Sequence, residues 1–102
     1  MNIVRATIGH SLEIARMFDL YRQFYDYDPD PKLARSYITE RIRNKESTIF
    51  IAEHEKGSGA GFVQLYPSFC SVEAVKILIL YDLFTDPDYR RQGVGTMLMN
   101  RA

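Results

Sequence analysis

Near its C-terminus this chain places a strand-like run, a short polar turn, a basic glycine loop and a helix start in immediate succession, from Tyr81 through Asp82-Leu83-Phe84-Thr85-Asp86-Pro87-Asp88-Tyr89 and Arg90-Arg91-Gln92-Gly93-Val94-Gly95-Thr96 to Met97-Leu98-Met99. That order builds an anion site from main chain, because a helix N-terminus leaves several N–H groups without internal partners. The aligned peptide dipoles add about half a positive charge at the same place. Gly93 and Gly95 carry no Cβ, so a phosphate can approach the backbone closely. Arg90 and Arg91 add formal charge and forked donors. The loop reads as a diphosphate site. The competing readings are a plain strand-to-helix turn with glycines for tightness, and solvated surface charge for either arginine. A dinucleotide-fold or P-loop reading fails, since no third glycine follows at the required spacing and no Gly-Lys-Ser/Thr closes the loop.

The rest of the chain limits what can surround that loop. At 102 residues it forms one domain at most. Seven Tyr and six Phe within a 46% hydrophobic composition belong to a globular core, not a disordered segment. Thirteen basic and thirteen acidic side chains cancel, leaving no field of one sign to recruit nucleic acid or an anionic membrane. The single Cys70 cannot form an internal disulfide and fits a reducing cytoplasm. The N-terminal residues show no signal-peptide pattern, and the apolar run Ile77 to Leu80 is far too short for a bilayer.

Asn2 to Ala6 reads as a first strand. A helix is predicted from His10 to Tyr25, with Ile14, Phe18, Tyr21 and Tyr25 on one face. Asp30-Pro31 is an N-cap and first-turn signature for a second helix, with Leu33, Tyr37, Ile38 and Ile42 inward and its end near Asn44. Thr48 to Glu53 and Gly61 to Tyr66 read as antiparallel strands about the turn Lys56-Gly57-Ser58-Gly59, and Pro67 to Ser71 as an irregular connection. Val75 to Thr85 is the longest strand; Ile77-Leu78-Ile79-Leu80, apolar on both faces, marks it as central and covered on each side. A third helix opens at Arg91 or Gln92, turning Val94, Leu98 and Met97 inward. The order is β-α-α-β-β-β-α, an α/β sandwich with a largely antiparallel sheet.

Arg90, Gly93 and Gly95 stand at the defining positions of a loop that resembles the acyl-CoA-binding signature of the GCN5-related N-acetyltransferase (GNAT) family. Asp82-Leu83-Phe84-Thr85 is similar to the family's preceding strand, with Thr85 where Val is usual. Tyr21-Arg22-Gln23-Phe24-Tyr25 and Gly61-Phe62-Val63-Gln64-Leu65-Tyr66-Pro67-Ser68 resemble segments of one branch of small acetyltransferases. The resemblance extends over the whole chain in the family's element order. It implies the acyl-CoA N-acyltransferase fold and transfer of acetyl from acetyl-CoA to a primary amine by direct attack. The diphosphate would lie on Arg90, Arg91, Gln92, Gly93, Val94, Gly95 and Thr96. The pantetheine arm would lie along Leu83, Phe84 and Thr85, with a backbone N–H near Phe84 polarising the acyl carbonyl.

On the acceptor side the resemblance points to a pocket formed by Tyr21, Tyr25, Tyr27 and Tyr66, although core packing accounts for each tyrosine equally well. Asp82 is a candidate base, directly or through water, its alternative being a carboxylate bonded to neighbouring backbone. Tyr81 stands where related sequences carry Asn or Glu. Asp26, Asp28 and Asp30 have the charge to attract a cationic amine, but three carboxylates flanking prolines better suit a solvated turn, and they lack the spacing of a calcium loop. His10 and His54 have no partners at metal spacing, and Cys70 has no cation to stabilise a thiolate, so no metal and no reactive thiol are expected.

Family members continue past the third helix with a further strand, a helix carrying the usual tyrosine acid, and a hairpin. This implies a single, C-terminally truncated domain whose last strand keeps an open edge and pairs with a second copy. The acceptor is expected to be a small-molecule or peptide amine, in the cytoplasm. The other readings are a non-catalytic acyl-CoA-binding or interaction module, and an inactive fragment of a longer acetyltransferase.

Overall fold

The computed structural model describes residues 1–55 and 57–102, so the Lys56 end of the expected turn lies outside the described residues. Strand β1 (Asn2–Arg5) leads through a 3-10 turn, Ile8–His10, into α1 (Ser11–Phe24) and then α2 (Pro31–Arg43). Strands β2 (Thr48–Glu55), β3 (Ser58–Cys70) and β4 (Val75–Thr85) follow, and a second 3-10 turn, Pro87–Tyr89, precedes α3 (Val94–Arg101). The sheet order is β1-β2-β3-β4, antiparallel throughout. The predicted α/β order is the observed one.

Period-two alternation divides the apolar residues between two layers. Ile49, Ile51, Phe62 and Phe84 pack with Ile14, Met17, Ala34 and Ile38 of α1 and α2 on one face. Ala52, Val63 and Leu65 pack with Val94 and Leu98 of α3 on the other. Asp30 caps α2, its carboxylate accepting the Leu33 amide at 3.1 Å. The buried Asp19 of α1 accepts the Asp30 amide at 2.8 Å, which fixes the inter-helix loop against α1.

Four expectations change. Leu33 is exposed, and the inward face of α2 runs through Ala34 and Ile38 instead. Tyr25, expected on the buried face of α1, is exposed at the helix end. The stretch expected as an irregular connection belongs to β3, with Pro67 paired to Leu78 and Cys70 to Val75. Pro67 fits because β3 pairs with β2 only as far as Leu65, so beyond that residue no β2 carbonyl awaits an N–H. Finally, β4 is not covered on both faces. Leu78, Ile79 and Leu80 are exposed, and among the described residues β4 pairs with β3 alone.

The pairing of β3 with β4 also slips by one residue. Gln64 lies opposite Asp82 while Leu65 lies opposite Leu80, leaving Tyr81 as the extra residue of a bulge.

Candidate functional site

The glycine loop folds as a tight approach to α3. Arg91 and Gly93 both adopt left-handed backbone, with φ of 68° and 77°, so neither can begin a helix. The helix therefore starts at Val94, later than the expected Arg91 or Gln92. Gly93 is its N-cap and offers no side chain to its amides; the Met97 N–H is the first to bond back, to the Gly93 carbonyl at 3.0 Å. The N–H groups of Val94, Gly95 and Thr96 thus precede the first intrahelical bond. A Cβ placed on Gly95 would meet only Thr85 Oγ1, at 3.8 Å, which is ordinary contact. Packing within the chain does not require glycine there. Arg90 and Arg91 are exposed beside it, and neither enters an ion pair among the described residues.

The base of the loop is anchored to α1. Asp86 is buried; its Oδ1 accepts the Asp88 amide at 3.0 Å and its Oδ2 accepts Arg16 Nη1 at 3.0 Å. Arg16 also bonds Glu13, and these two carboxylates raise its pKa against the opposing effect of burial.

Two cavities adjoin β4 on the α1 side. The smaller, of about 150 Å³, lies among Tyr21, Phe24, Tyr25, Leu83, Thr85 and Arg90, directly beside the loop. The larger, of about 380 Å³, brings together Tyr21, Tyr25, Tyr27, Tyr66, Tyr81 and Asp82. The four tyrosines, Tyr81 and Asp82 singled out on the acceptor side therefore line one pocket, which Asp26, Asp28 and Asp30 do not, and Tyr21 and Tyr25 border both cavities. Another cavity, of about 520 Å³, lies between α1 and α2 around Arg16, Asp19 and Arg35. No residue of β4 or of the glycine loop lines it.

Asp82 is buried, and its carboxylate is held by a side chain. Gln64 Nε2 donates to Asp82 Oδ2 at 2.9 Å, and Ser47 Oγ donates to Gln64 Oε1 at 2.7 Å. The backbone-bonded alternative is thus replaced by a Ser47–Gln64–Asp82 chain. Burial, then the charge of Asp82, push the Tyr21 phenol above its ordinary value, so it keeps its proton at neutral pH. Burial and the hydrogen bond with Tyr37, whose hydroxyl is 2.6 Å away, do the same for Tyr66. The Tyr81 ring meets Tyr66 edge-on at 5.5 Å, although Tyr81 is largely exposed.

Arg22, Gln64 and Ser47 escaped the sequence reading. A lone Gln inside the apolar run Phe62-Val63-Gln64-Leu65 was the available signal, because a polar side chain in a buried strand needs a partner. Arg22 carried no comparable signal. Among the described residues no three potential metal ligands stand together, and no helix is long and apolar enough to cross a membrane.

Residues 14–102 match the model of the acetyltransferase (GNAT) family. The chain belongs to this family. It is 43% identical over 102 residues to the uncharacterized N-acetyltransferase YhfO of Bacillus subtilis (strain 168), spanning all of this chain and 68% of that one. It is 30% identical over 86 residues to a probable acetyltransferase of Haemophilus influenzae, spanning 84% of this chain and 59% of the relative's length. The crystal structure of a probable acetyltransferase superposes with a TM-score of 0.91 at 38% identity, covering 99% of this chain and 68% of that one. Family membership agrees with the resemblance drawn from the loop and strand, and the superposition agrees with the expected fold.

Proposed function

We propose that this chain carries the donor site and part of the acceptor site of an N-acetyltransferase that uses acetyl-CoA and a primary amine. The observation that carries this reading is the juxtaposition at β4. A helix N-terminus with an unobstructed glycine lies at the strand's end, and a tyrosine-lined pocket with a buried carboxylate lies beside the same strand. Acetyl-CoA, when bound, supplies an acetyl group on a thioester. The amides of Val94, Gly95 and Thr96 hold the diphosphate, with Arg90 and Arg91 supplying countercharge. The main chain of Leu83 to Thr85 holds the pantetheine arm, and an N–H near Phe84 polarises the acyl carbonyl. Asp82, oriented by Gln64, receives the proton given up by the acceptor ammonium. Tyr21 borders both cavities, and because its proton is held firmly it serves there as a neutral hydrogen-bond donor and not as the acid for the departing thiolate.

The same reading has the open edge of β4 pair with a second copy, since its exposed side is a run of apolar residues. Calorimetric titration with acetyl-CoA tests the donor site. The chain is expected to bind, and Gly95→Leu to lose at least tenfold in affinity with an unchanged melting temperature, because its side chain fills the approach to the amides. Equal affinity in Gly95→Leu removes the site assignment. Binding by the wild-type chain with no CoA released by any amine makes it a binding module instead.

A further inference from the structure

The pocket beside β4 contains opposite charges, and only one of them is partnered. Asp82 is buried and held by Gln64. Arg22, in the last turn of α1, lines the same cavity, half-buried, with its guanidinium carbon 4.7 Å from the centroid of the Tyr27 ring. Stacking of this kind fixes the plane of the guanidinium while leaving its N–H edge free to bond. No ion pair among the described residues involves Arg22. A cation in that position disfavours any acceptor with a second positive charge in the same cavity, by simple repulsion across a partly dry space. It favours an acceptor that brings its own anionic group.

We propose that this pocket takes a zwitterionic amine, an amino acid with an aromatic or apolar side chain, whose ammonium lies against Asp82 and whose carboxylate is gripped by Arg22. The side chain lies among the tyrosine rings. A cavity of about 380 Å³ is of small-molecule size. Planar Arg–carboxylate pairing supplies both strength and orientation, since two parallel N–H···O bonds fix the carboxylate in one plane. The proposal rests on the reading of this pocket as the acceptor site, but it makes a claim about binding that stands apart from transfer.

The test titrates the whole chain with L-phenylalanine, with phenethylamine, which differs from it only by the carboxylate, and with spermidine as a polyamine. Phenylalanine is expected to bind at least tenfold more tightly than phenethylamine, as the loss of a charge-assisted pair requires. Arg22→Gln is expected to abolish that difference and Arg22→Lys to keep part of it. Asp82→Asn is expected to weaken both monoamines alike. Phenethylamine or spermidine binding as tightly as phenylalanine, an unchanged preference in Arg22→Gln, or no binding of any of the three would overturn the proposal. A parallel titration with acetyl-CoA separates the two readings. Phenylalanine bound without acetyl-CoA leaves the pocket standing and removes the transfer reading, and the opposite result removes the pocket alone.

Discussion

Tyr21 and Tyr66 hold their protons more firmly in the folded chain than free tyrosine does, the first through burial and the charge of Asp82, the second through burial and its bond with Tyr37. Their folded-state pKa values lie above the unfolded value of 10.0, so the sign of the stability effect is set. Below that value both states are protonated and the contribution is fully present. As pH rises past it, the unfolded chain releases protons that the folded chain retains, and stability falls. Urea midpoints are therefore expected to drop between about pH 9 and about pH 11, and Tyr21→Phe is expected to flatten the drop. An equal slope in the variant would show that the Tyr21 proton is held no more firmly in the fold. At this scale the sequence was partly legible. Tyr21, Tyr66 and Asp82 stand out as residue types, but the contacts that tune them come from α2, β3 and the loop before β2.

At the scale of elements, composition and burial part company in β4. A run apolar on both faces is what a covered strand looks like, yet neighbours supply burial, and here β3 is the only one among the described residues. The helices were easier to read, since the Asp30 cap and the 3.6-residue spacing are local signals. Their rotation was not, because whether Leu33 or Ala34 faces inward depends on where α1 lies. The extension of β3 through Pro67 was hidden for a similar reason, since proline reads as a breaker until one knows that β2 ends opposite Leu65. The open edge of β4 is expected to make the chain self-associate. Sedimentation equilibrium should show a concentration-dependent dimer, and Ile79→Lys should shift it toward monomer by placing a charge on the edge. A wild-type monomer at all concentrations ends that idea.

For the molecule as a whole, the sheet separates two apolar layers of unequal size. Helices α1 and α2 cover one face, while α3 alone, with Val94 and Leu98 buried, covers its share of the other. The glycine loop leads into the thinner layer through α3 while Asp86 at its base is held by α1, and the tyrosine pocket lies on the thicker side. Leu98→Ala should remove about 2–5 kcal/mol, as buried leucine truncations do. Hydrogen exchange is expected to show the loss first in α3 and the glycine loop, with the amides of α1 and α2 still protected. Uniform loss across both layers would mean that they unfold as one unit.

The bulge at Tyr81 has a consequence in counting. Paired residues of an antiparallel sheet share a face, so with the extra residue Asp82 sides with Gln64 and Phe84 with Phe62. Were Tyr81 instead paired in turn after Leu80, Asp82 would fall opposite Val63 and Phe84 opposite Gly61, turning both toward α3. Deleting Tyr81 would leave Leu80 opposite Leu65 and Asp82, now next to it in the chain, opposite Gln64, so the same faces persist in a regular ladder without the bulge. The deletion is therefore expected to fold with Asp82 still beside Gln64, and a melting temperature far below that of Tyr81→Ala would contradict this. Along this strand one letter is surplus to the pairing, and it is Tyr81.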